Sequence, residues 1–83
     1  MAHDITLLKH TLAVLSLHDG RPVMEDTLAS DIELRAARPL ILDQVRVALA
    51  WLRDQGLAVS RLNSFDQPVW SITEKGRSTT IGM

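Results

Sequence analysis

The stretch Val45-Arg46-Val47-Ala48-Leu49-Ala50-Trp51-Leu52-Arg53-Asp54-Gln55-Gly56-Leu57 decides the fold. Val45, Ala48, Leu49 and Leu52 recur at helical spacing and give one apolar face. Gly56-Leu57 then stops the helix and opens an apolar run. A turn-rich segment follows, Asn63-Ser64-Phe65-Asp66-Gln67-Pro68, then a second short apolar run from Val69 to Thr73, then Glu74-Lys75-Gly76-Arg77. The order is helix, two-stranded hairpin, polar exit. Leu57 and Val59 are expected on one face of the first strand, and Trp70 and Ile72 on one face of the second. Pro68 suits a strand start or edge, where its missing donor costs no ladder bond. The link of about six residues exceeds a two-residue hairpin turn, which predicts a mobile tip.

Upstream, Asp4 is positioned to cap a first helix over about residues 5–18. Ile5, Leu8, Leu12 and Leu15 form one stripe on it. Leu7, Val14 and Leu17 form a second, roughly opposite. The second stripe has two readings: burial against the C-terminal tail, or the seam of a homodimer, since a small monomer rarely exposes a contiguous apolar stripe. His18-Asp19-Gly20-Arg21-Pro22 ends the helix. A second helix is expected over about residues 24–33, with Leu28 and Ile32 inward and Glu25 and Asp26 complementing its dipole. After the link Leu34–Pro39, Pro39 suits the first turn of a third helix reaching Gln55. Ile41, Val45, Ala48, Leu49 and Leu52 are its expected buried face. Ile5, Leu8, Leu12, Leu15, Leu28, Ile32, Val45, Leu49, Leu52, Leu57 and Ile72 should converge on one core. The fold class is therefore mostly α with a small β-hairpin: a winged helix-turn-helix, three helices plus a two-stranded C-terminal wing, as a single domain over residues 1–83.

The chain has 83 residues and an apolar fraction of 46%, ordinary for one folded domain. It has no cysteine, which excludes a disulfide framework and thiolate metal sites. No apolar run approaches a membrane span of roughly 18–20 residues, and Met1-Ala2-His3-Asp4 lacks the basic region of a secretory signal. A soluble cytoplasmic protein is expected, with no membrane partner. Nine Lys and Arg against ten Asp and Glu give a net charge of −1. A DNA binder that works by phosphate neutralisation is usually clearly basic, so its cations must here be gathered on one face.

Val45 to Leu57 resembles the end of the third helix in the MarR, PadR and ArsR-like winged-helix regulators. Trp70-Ser71-Ile72-Thr73-Glu74-Lys75-Gly76-Arg77 is similar to their wing exit. The resemblance spans about residues 24–77 and rests mostly on core and turn positions, so it bears on fold more than on function. More narrowly, Leu49–Leu57 with Val69-Trp70 and Ile72–Arg77 resembles small winged-helix proteins of Mu-like transposable phages and prophages. That resemblance implies a bacterial cytoplasm during infection or lysogeny, and no assigned biochemical activity.

With the core stripe so placed, Asp43, Gln44, Arg46, Val47 and Ala50 face outward on the third helix. Gln44 has the chemistry to pair with adenine and Arg46 with guanine. Asp43 repels phosphate. Arg35 and Arg38, just before the helix, suit phosphate clamping, and Arg61, Lys75 and Arg77 suit a second backbone contact from the wing. Asp66 at the tip opposes insertion into the minor groove. About five to seven cations can reach a duplex, and if most met phosphate the log–log salt slope would be about −4 to −6. Trp51 is read as covering the edge of the core or, with Leu7, Val14 and Val47, as a protein-interaction surface; exposed Trp is enriched at such centres. Phe65 in the wing loop poses the same pair of readings. His10 and His18 lie about 80° and roughly 12 Å apart on a helix, too far for one ion, and His3 has no fixed partner, so no metal or other cofactor is expected. There is no Gly-rich phosphate loop and no nucleophile context, so no catalytic residue is assigned. Two functions stand. One is binding of double-stranded DNA as a transcriptional regulator or phage accessory protein. The other is a winged helix used as a protein-interaction module toward a host or phage protein.

Overall fold

Asp4 begins the first helix as its chemistry suggests: its Oδ1 accepts the Leu7 N–H at 3.0 Å. The computed structural model describes residues 4–81. In order they form α1 (Ile5–Leu17), β1 (Val23–Met24), α2 (Glu25–Ala36), α3 (Leu42–Asp54), β2 (Ala58–Leu62), β3 (Pro68–Ile72) and α4 (Glu74–Ile81). The expectation for His3 lies outside the described residues.

Helix α1 packs against α2, α3, α4 and β3. Both of its stripes are therefore covered. Leu8, Leu12 and Leu15 are buried, and so are Leu7 and Val14. This corrects the dimer seam: Leu7 and Val14 are packed within one chain, and of that stripe only Leu17 is open, at 75% exposure. Ile5 departs from expectation at 60% exposure, whereas Leu7, two residues on, is buried. Thr11 is fully buried among these leucines, with its hydroxyl donating to the Leu7 carbonyl at 2.7 Å. That bond removes the cost of an unpaired polar group.

Helix α2 runs longer than its apolar spacing predicts, to Ala36, and stops where Ala37 turns left-handed at φ 55°. The link then leaves in extended geometry, with Glu33 Oε1 accepting the Leu40 N–H at 2.9 Å. Pro39 consequently lies ahead of α3 rather than in its first turn, and Ile41 is its N-cap residue, exposed rather than buried. The stripe from Val45 onward is as expected: Val45, Ala48, Leu49 and Leu52 are all buried.

The sheet has three antiparallel strands in the order β1-β3-β2, one more than the hairpin expected. Val23 pairs with Trp70 and Met24 with Val69. A two-residue strand carries no readable alternation, which is why the sequence concealed it. Trp70 and Ile72 are both buried, as expected of one face. On β2 the inward residue is Ala58; Leu57 precedes the strand and Val59 is exposed. The wing loop is bridged by its own hydrogen bonds. Asn63 Oδ1 accepts the N–H of Phe65 (2.8 Å) and of Gln67 (3.0 Å), and Asp66 supplies the left-handed residue at φ 58°. This Asx-type turn is the short-range chemistry that a count of loop residues misses.

Residues 74–81 form a fourth helix where a polar exit was expected. Thr73 caps it, its Oγ1 accepting the Gly76 N–H at 3.0 Å while donating to the Gly56 carbonyl at 2.7 Å. Helices α1–α3 with the β2–β3 wing make a winged helix, and α4 packs back on α1.

Candidate nucleic-acid interface

Helix α3 divides into a buried and an open side. Opposite its core stripe, Asp43, Gln44, Arg46 and Val47 are exposed and Ala50 is half-buried. Gln44 is partly committed to the helix itself: its Oε1 accepts the Ile41 N–H at 3.0 Å, one half of a capping box. Arg46 is held by an acid from another helix. Its Nε donates to Glu25 Oε1 at 3.1 Å, while its Nη1 lies 3.9 Å from Asp43 Oδ1, past hydrogen-bonding distance.

Glu25 is buried, and its other oxygen accepts the Trp70 indole N–H at 3.1 Å. One carboxylate thus joins the start of α2, the open side of α3 and the middle strand of the sheet. Sequence reasoning gave Glu25 only a helix-dipole role. Its partners lie 21 and 45 residues away, beyond any local pattern. Met24, Glu25, Asp26, Arg46, Gln67 and Pro68 line one shallow hollow, so the end of the wing loop borders the α3 face at Arg46.

The other proposed contacts separate into two groups. Arg61 is exposed on β2 opposite Val69, one pair from Pro68. Arg61 and Arg35 make no ion pair among the described residues. Arg38 is exposed at the link but pairs with Asp4 at 2.8 Å. The Leu7 N–H first, and then this guanidinium, hold the Asp4 carboxyl below the usual carboxylate range. Phe65 stands at the wing tip, 82% exposed.

Lys75 and Arg77 fall on α4, beyond the base of the hairpin and away from its loop. Lys75 Nζ donates to the Gln55 carbonyl at 2.9 Å, satisfying the C-terminal end of α3. The Arg77 guanidinium lies over Gly20, in the turn after α1. Among the interaction candidates, Val47 is 59% exposed, Trp51 is partly buried and packed against the core, and Leu7 and Val14 are internal. His18 pairs with Asp31 at 3.2 Å.

No protein-family model and no curated protein matches the sequence. Solved structures match its fold. TA0346 of Thermoplasma acidophilum, a candidate transcriptional regulator, superposes with a TM-score of 0.72 over 99% of this chain and 81% of that one, at 19% identity. F-93 of SSV1 gives 0.66 over 89% of this chain and 79% of that one, also at 19% identity. An apo form of Lactococcus lactis ZitR gives 0.66 over 93% and 55%, at 23% identity. The chain spans about half the length of ZitR. At these identities the likeness establishes the shared fold.

Proposed function

We propose that the protein binds double-stranded DNA through the open side of α3 and the adjoining wing, as a transcriptional regulator or an accessory DNA binder. The observation that carries this is the division of α3: Val45, Ala48, Leu49 and Leu52 are buried, while Asp43, Gln44, Arg46 and Val47 are open beside the wing-loop end at Gln67 and Pro68. A helix presented this way is what a major groove admits. Arg46 is the base-reading side chain, Gln44 a second reader that must exchange its cap bond for a base, and Arg35, Arg38 and Arg61 are the phosphate contacts. Lys75 and Arg77 are assigned to the packing of α4. The narrower role, in a transposable phage within the bacterial cytoplasm, rests on the resemblance of Leu49–Leu57 and Val69–Arg77 alone.

The protein-interaction reading has one observation in its favour: Glu25 and Asp43 flank Arg46, so these three groups carry no net positive charge, with Ile41 and Val47 exposed beside them. Titration of a fluorescent random duplex below about 50 mM salt separates the two. Arg35, Arg38, Arg61 and, on random duplex where no base is read, Arg46, at roughly 0.9 each, give a log–log salt slope no steeper than about −4. Salt-sensitive binding within that limit supports the DNA role. Folded protein with no detectable binding leaves the interaction module.

A further inference from the structure

The carboxylate of Glu25 is buried, and no part of the DNA-binding proposal above uses it. It takes two donors from two different elements, Arg46 Nε on one oxygen and Trp70 Nε1 on the other, each at 3.1 Å. Because it is bonded to the indole and enclosed by the fold, it is fixed relative to the sheet. An arginine bonded at Nε is restricted in the directions its guanidinium takes. Its planar fork is then set in one direction, with the terminal nitrogens left for a partner. A free surface arginine, by contrast, samples many rotamers and is suited to any nearby phosphate.

We infer that Glu25 is a positioning residue for sequence recognition: it orients Arg46 toward a base edge and lowers the pull of the same side chain on phosphate. The inference rests on the DNA-binding reading of α3. Its physical content is a trade. The negative charge beside Arg46 weakens sequence-independent attraction, and the fixed guanidinium sharpens discrimination at one base pair.

Glu25→Gln breaks the arrangement with little change of shape. The two donors meet different oxygens of Glu25, and an amide in the same place has one of those positions occupied by a donating nitrogen, so it serves the indole or the guanidinium but not both in this geometry. It also removes one charge, worth about threefold in random-duplex affinity at ~7 Å in water. The test enriches a duplex pool with a randomised centre on the wild-type protein. It then measures the affinity of the enriched sequence and of random duplex for wild type, Glu25→Gln and Arg46→Lys. Melting curves and the Trp70 indole N–H resonance report folding.

The expected result is that Glu25→Gln binds random duplex about threefold more tightly. Its preference for the enriched sequence falls roughly fivefold or more, toward the full worth of a bidentate base contact. Arg46→Lys, which keeps the charge without the Nε fork, loses the same preference with its salt slope unchanged. It carries the test if Glu25→Gln does not fold. An unchanged preference in Glu25→Gln, or in Arg46→Lys where that variant stands in for it, overturns the role of Glu25 and leaves DNA binding intact. Wild-type binding with no enrichment of any sequence also overturns it, because nothing is then being read. No wild-type binding to any duplex overturns the DNA reading itself, and Glu25 with it.

Discussion

The two ends of α3 use the same kinds of residue for opposite purposes. At its C-terminal end, Thr73, Lys75 and Gly76 bond or pack against Gly56, Gln55 and Leu57, so the motif Thr73-Glu74-Lys75-Gly76 joins helix, wing and α4. At its N-terminal end, Gln44 and Arg46 are exposed, and Arg46 is held from outside the helix by Glu25. The residues that most resemble known regulators are therefore structural. The DNA contacts proposed above fall to residues that carry no motif.

Substitution at each region sharpens the contrast. The largest expected effect is on what both ends share. Leu49 is fully buried, and Leu49→Ala should cost about 2–5 kcal/mol in a urea melt as a cavity substitution. A loss under about 1 kcal/mol would mean that the α3 stripe is not the centre of the core. At the C-terminal end, a Cβ on Gly76 would run into the Leu57 carbonyl oxygen and the Ile72 side chain. Gly76→Ala should therefore destabilise by about 1–3 kcal/mol. At the N-terminal end, Arg46→Ala should weaken binding to a preferred duplex by about 1–3 kcal/mol, whereas Lys75→Met should leave binding within about twofold while lowering the melting temperature. Equal losses of binding from both would erase the distinction between the ends. The smallest effect lies at the link: Ala37 is left-handed without being glycine, and Ala37→Gly should stabilise by about 0.5–1 kcal/mol.

Much of the fold was legible because it is written in periodicity. The α3 stripe, the Asp4 cap and the Trp70–Ile72 face all follow from spacing or from one residue's chemistry. What was missed depended on partners distant in sequence. Of the two readings of Leu7 and Val14, burial holds, with α4 packed on α1; what spacing concealed is that the tail is a helix, since Glu74–Ile81 has little apolar patterning and its cap, Thr73, also serves Gly56. Strand β1 is too short to alternate. The candidate site was legible only as a set of outward residues on α3. That Arg38 is paired with Asp4, Lys75 with the end of α3, and Arg46 with Glu25 depends on contacts 34, 20 and 21 residues apart.

On the DNA-binding proposal, duplex DNA meets the N-terminal half of α3 and the wing, not the α4 end. Backbone amide shifts of the isotope-labelled protein, followed during titration with random duplex at low salt, test it most directly. Perturbations are expected at residues 41–50 and 59–67, with Thr73–Arg77 unmoved. Perturbations centred on residues 73–81 and the Gly20 turn, with residues 41–50 silent, would contradict it.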